Sequence, residues 1–277
     1  MGSLVRAELY KALQHRWTML FLLAVCVLLP PLVVGNFYWA VRYNPNAGTA
    51  KAVGAAVEAL CMGMGLGPFL ALPVAVMIAD DPNKSSVLKN EAVFGIRRWE
   101  SFLSRLIAGA LIGLGLAASV ILSFCLTVFI LMPARLALPA LITENLPTAM
   151  LIAVPLWLCS GILALSMLFL LKNSTIAVAL YTAFFSFGYL AAILLHVIAL
   201  NDSSPSAQVI SFLCSLHPFN IFWRILFQAD ETGLSVNFAL FYSPGLADIL
   251  HSWVLALGWS VVPSALTCLV LRHREFR

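Results

Sequence analysis

Apolar residues run through this chain in long blocks, without the alternation of a half-buried strand. Six blocks, at residues 17–40, 59–79, 102–132, 148–171, 174–200 and 252–271, reach the roughly 20 residues that a helix needs to cross a hydrocarbon layer about 30 Å thick. The first and third are long enough to tilt or to project beyond the layer. Ahead of the first block, residues 1–16 mix Leu, Val and Ala with Arg6, Glu8, Lys11 and Arg16. The same lead has the outline of a signal peptide, but Glu8 within it, Pro30 and Pro31 in the following run and no small-x-small cleavage site predict a retained first span.

A seventh candidate, residues 207–227, holds His217, Pro218 and Arg224. Burying that arginine near mid-helix costs roughly 2.5 to 3.5 kcal/mol. Loop charge decides between the two counts. With six spans, twelve of the sixteen Lys and Arg residues fall on the side of the N-terminus: Arg6, Lys11, Arg16, Lys84, Lys89, Arg97, Arg98, Arg105, Lys172, Arg272, Arg274 and Arg277. Arg42, Lys51, Arg135 and Arg224 fall opposite. This asymmetry fits the positive-inside rule with both termini cytoplasmic, whereas seven spans would place the tail RHREFR outside. Residues 201–250 are therefore expected to form an external segment with interfacial or re-entrant helices, its Phe212, Phe219, Phe222, Trp223 and Phe227 at headgroup depth.

The largest cytoplasmic interruption is ADDPNKSSVLKNEAVFGIRRWESFLSRL, residues 79–106, which carries nine of the 28 charged residues. Asp81 followed by Pro82 reads as an N-cap and first helical position, and Gly95 as a left-handed terminator. The helix between them would set Val87, Leu88 and Phe94 beside wet Lys84, Lys89 and Glu91. It is either a surface offered to a soluble protein or a solvated loop anchored by basic residues.

Composition agrees with the pattern. The 277 residues are 62% hydrophobic and 10% charged, with a mean hydropathy of +0.97, against about 25% charged for soluble domains. This is the composition of an all-α integral membrane protein. The net charge of +4 is modest, and the absence of a basic run or RNA-binding signature argues against nucleic acid. Six cysteines without a CxxC pair suggest neither a disulfide framework nor a metal site, and His196, His217 and His251 are scattered enough to favour packing over metal binding.

The chemistry that is missing narrows the function. The middle thirds of the six blocks hold no Asp, Glu, Lys, Arg or His, which argues against coupling to protons or sodium. There is no Gly-Lys dipeptide, hence no P-loop in this chain, and neither HExxH nor GxSxG occurs. Ser86 to Lys89 matches SxxK without companion motifs. No catalytic residues are expected. Gly63, Gly65 and Gly67 in span two, and Gly109 with Gly113 in span three, permit close helix contact, within one subunit or across a dimer. Tyr181, Phe185 and Tyr189 recur at i, i+4 and i+8, an aromatic stripe that either lines a path or packs the bundle.

Two segments resemble a known family. LVRAELYKALQHRWTMLFLL, residues 4–23, is similar to the amphipathic N-terminal helix of permease subunits of type 2 ABC (ATP-binding cassette) transporters, mostly bacterial exporters of drugs, lipids or peptides. Residues 79–107 are similar to that family's loop after span two. Asp80 or Asp81 takes its acidic place, Ser86-Val87-Leu88-Lys89 its "GT-(L/I)-K" element, Gly95-Ile96-Arg97-Arg98 its "G-(I/V)-x-R" turn and Arg105 the basic residue at the start of span three. Ser85-Ser86 departs from the usual Gly-Thr.

The resemblance implies a coupling loop at residues 80–99 seated in a separate ATPase subunit through Lys84, Val87, Leu88, Lys89, Glu91, Phe94, Arg97 and Arg98. ATP and Mg would be bound by that partner, with no cofactor in this chain. A second permease subunit, identical or paralogous, would complete a path lined by spans two and five, with Met62, Tyr181, Phe184, Phe185 and Tyr189 as lining residues. The expected location is the bacterial plasma membrane, amid its lipid. The expected cargo is amphipathic or hydrophobic: a peptide first, a hydrophobic drug or a lipid as alternatives. An ATPase-independent facilitator or scaffold is the competing class.

Overall fold

The computed structural model describes residues 2–14, 16–42, 63, 65–79, 95–131, 146–171, 173–188, 190–191, 194–195, 204–218, 228–229, 236–237 and 245–275. The described elements are α1 (Gly2–Gln14), α2 (Arg16–Arg42), α3 (Gly67–Ala79), α4 (Arg98–Leu131), α5 (Leu146–Leu170), α6 (Ser174–Ala183) with a π-helical continuation at Phe184–Gly188, α7 (Pro205–Ser215), and α8 (Leu246–Glu275). Among the described residues the regular structure is helical apart from a two-residue antiparallel ladder, β1 (Gln228–Ala229) and β2 (Val236–Asn237), which pairs Gln228 with Asn237 and Ala229 with Val236. That ladder is too short to leave an alternating pattern in the sequence.

Among the described residues four helices, lying within α2, α4, α5 and α8, are long and apolar enough to cross a membrane; α3 and the α6 segment are shorter apolar helices. The centre of the bundle is α5. Two-thirds of its apolar window (67%) is buried inside the protein, against 22% for α2 and α8, so α5 is the hub and those two face outward. It packs most extensively on α8 and α3, while α2 packs on α4 and α1 crosses α4.

Helix ends differ from the hydropathy limits for identifiable reasons. The third apolar block was expected from residue 102, yet α4 begins at Arg98, because the Arg97 carbonyl accepts from Glu100 and Ser101 N–H at 3.0 and 3.1 Å and the Glu100 carboxylate accepts from Arg97 N–H at 3.3 Å. This is the side-chain half of a capping box, and it carries the helix beyond its apolar run. Residues 98 and 99 thus belong to α4, not to a loop ending at 99. Gly95 does take the left-handed conformation, φ +77°, that a terminator requires; the helix expected before it lies outside the described residues. Asn173 caps α6 by accepting from Thr175 N–H at 2.9 Å, so α5 turns into α6 within three residues, 171–173.

Prolines stand inside α2, α3, α5 and α8, and at Pro30 a neighbouring helix satisfies what the proline releases. Pro30 has no N–H for the Cys26 carbonyl one turn earlier. Ser123 of α4 donates its hydroxyl to that carbonyl instead. Two of the span-two glycines, Gly63 and Gly67, serve contact within the chain. A Cβ on Gly67 would overlap the buried Trp157 indole, and one on Gly63 would come within 2.5 Å of the Phe124 ring. Gly109 likewise meets Leu165, whereas Gly65 and Gly113 face open space.

Candidate functional site

The most constrained polar group among the described residues is Arg105, one turn above the Glu100 cap of α4 and fully buried. Its Nε donates to Glu8 Oε1 at 3.0 Å, and its Nη1 donates to the Ala79 carbonyl at 3.2 Å. Its guanidinium lies 5.7 Å from the centroid of Phe169, which also meets Phe102 edge-on at 5.1 Å. Ala79 closes α3, so its carbonyl is one of the acceptors that a helix end leaves without an intrahelical donor and sits at the negative pole of the helix dipole. One cation therefore joins α1, the C-terminus of α3, the base of α4 and the C-terminal turn of α5. Planar and permanently charged, arginine suits this role better than lysine, because its separate N–H groups can serve a carboxylate, a carbonyl and a ring face together.

This junction lies at both ends of the charged stretch. Residues 80–94 leave from Ala79 and return to Gly95, ten residues before Arg105. Lys84, Val87, Leu88, Lys89, Glu91 and Phe94 lie outside the described residues. Arg97 and Arg98 are described, and both are exposed at the N-terminus of α4.

A second junction stands farther along the bundle. Phe184 is ten residues beyond the start of α6, about 15 Å along its axis. There α6 widens into the π segment, a change that releases backbone carbonyls and recurs at functional positions. His217, just after α7, places Nε2 3.3 Å from the Phe184 carbonyl. Phe184 packs against His217, Trp259 and Phe185 at centroid distances of 4.9, 5.1 and 5.1 Å. Trp259 Nε1 donates to the Leu216 carbonyl at 2.9 Å, and His251 Nε2 lies 3.3 Å from the Ser215 carbonyl. The C-terminal end of α7 is thereby held between α6 and α8.

Of the aromatic residues expected along a path, Tyr181 and Phe185 are buried and Phe184 is partly buried. Tyr181 donates its hydroxyl to the Pro68 carbonyl of α3 at 2.9 Å and packs on Phe185 at 4.7 Å. Tyr181 thus joins α6 to α3 within the chain. Met62 and Tyr189 lie outside the described residues. The sequence marks Glu8 as a charge in the N-terminal lead and Arg105 as the basic residue at the foot of the third apolar block, but not the two as a pair. The available signal was a solitary arginine at the foot of an apolar helix, which needs a counter-charge when buried. In comparisons with known proteins, no family model matches the chain, and no curated protein matches it.

Proposed function

We propose that this chain is the permease subunit of a bacterial type 2 ABC exporter, driven by a separate ATPase. The observation that carries the reading is the Arg105 junction. Because α1, the end of α3, the base of α4 and the end of α5 meet on one guanidinium, a force applied to residues 80–98 is delivered to several helices as a rigid body. Exposed Arg97 and Arg98 at the head of α4 suit contact with a soluble partner. In this reading the four long apolar helices, with α3 and the α6 segment, make up six spans, and both termini are cytoplasmic.

The external segment follows the same geometry. An 11-residue helix such as α7 rises about 16 Å, too little to cross. Its end is level with Phe184, about 15 Å above the base of α6, which supports a re-entrant helix dipping to mid-depth from outside. Two such chains would enclose a path between spans two and five, and the absence of ionisable groups from the middle of the spans suits an amphipathic peptide, with a hydrophobic drug or a lipid next.

The test is reconstitution. The chain and the nucleotide-binding protein that co-purifies with it are placed in vesicles and assayed for ATP-dependent movement of a fluorescent amphipathic peptide. Arg97→Glu with Arg98→Glu is expected to abolish transport while leaving insertion and melting unchanged. Uphill transport by vesicles holding this chain alone, or normal export by the double variant, refutes the reading.

A further inference from the structure

Between α1, α2 and α4 the packing leaves a crevice of about 310 Å³, whereas the glycine-lined seam of α3, α4 and α5 leaves only about 20 Å³. The crevice is lined by Leu9 and Leu13 of α1, Leu22 of α2, and Leu111, Gly115 and Leu116 of α4. Its walls make no unmet polar demand, since the Ser119 hydroxyl at its upper end donates to the Gly115 carbonyl at 2.8 Å and the Cys26 carbonyl receives Ser123. Leu13 of α1 and Leu111 of α4 are half-exposed, at 49% and 48%, so the crevice opens outward beside α2 and α4, whose outer faces are apolar. Along α4 it runs from Leu111 to Ser119, about 12 Å, beginning about 9 Å above Arg105.

At its foot the charge changes. Arg6 falls on the same face of α1 as Leu9 and Leu13 by helical spacing, and Arg16 stands where α1 passes into α2; both are exposed. A slot that is apolar along its length and cationic at one end is complementary to an anionic lipid. We propose that the crevice holds an acyl chain of an anionic phospholipid, in the leaflet on which α1 lies, with its headgroup between Arg6 and Arg16, which flank Leu9 and Leu13 about 15 Å apart along the chain axis. Hydrocarbon is as apolar as leucine, so burying the tail gives no preference over the surrounding bilayer. Selection comes from the headgroup and from a chain filling space that the helices leave empty.

The full chain, exposed to equimolar phosphatidylglycerol and phosphatidylcholine of matched tails, is examined by native mass spectrometry. Wild type is expected to retain phosphatidylglycerol in preference. Arg6→Gln and Arg16→Gln should each lower that preference about fivefold, the worth of one basic side chain near an anionic surface. A Cβ at Gly115 meets nothing within 4 Å, so Gly115→Leu fills the slot without backbone overlap. It should lower retention of both lipids about tenfold, as should Leu111→Trp at the mouth, the second variant should the first fail to elute as a folded species. Undiminished retention in a folded, filled variant overturns the site. A preference unchanged by loss of both arginines overturns the headgroup assignment. A filled variant that retains lipid but no longer self-associates makes the crevice an interface between copies and also overturns the proposal.

Discussion

Arg105 and Glu8 stand 97 positions apart in the chain and 3.0 Å apart in the fold, with the guanidinium fully buried and the carboxylate 13% exposed. The pair fastens the amphipathic α1 to the base of α4. Its arginine also holds the end of α3, so its removal strands both a carboxylate and a helix-end carbonyl.

Loss of one partner of a buried ion pair is expected to cost about 3 to 5 kcal/mol. Arg105→Met and Glu8→Leu should each lower the melting temperature of the purified protein. The double variant should lose clearly less than the two losses added together. Strict additivity would show that the two side chains do not interact.

Gly67→Ala is expected to destabilise by about 1 to 3 kcal/mol, because the new methyl overlaps the buried Trp157 ring. Gly65→Ala, two residues away and facing open space, should stay within about 0.5 kcal/mol of wild type. Thermal melts of the two variants side by side check the contrast, and equal losses would place Trp157 elsewhere.

Ser123→Ala should cost about 1 to 3 kcal/mol, since it leaves the Cys26 carbonyl without a donor. Restoring the helical donor with Pro30→Ala should shrink that penalty. If Ser123→Ala costs the same in both backgrounds, the hydroxyl does not answer for the proline.

Hydropathy alone placed the long helices α2, α4, α5 and α8, because a helix in lipid must be apolar over most of its surface and closes its own backbone hydrogen bonds. Gly95 was equally legible, since a left-handed turn favours a residue without a side chain. Helix ends were less so. Arg98 opens α4 well before the apolar run because capping at Arg97 and Glu100 is local and indifferent to hydropathy.

Membrane residence and helix composition follow from one-dimensional properties of the chain, because each is a sum over neighbouring residues. Partnership is not such a sum. That Glu8 answers Arg105, that Trp157 occupies the space left by Gly67, and that His217 meets the carbonyl of Phe184 depend on which helix faces come together. In an apolar bundle many faces are chemically alike, and packing shape, a few buried polar groups and the prolines that expose carbonyls select among them.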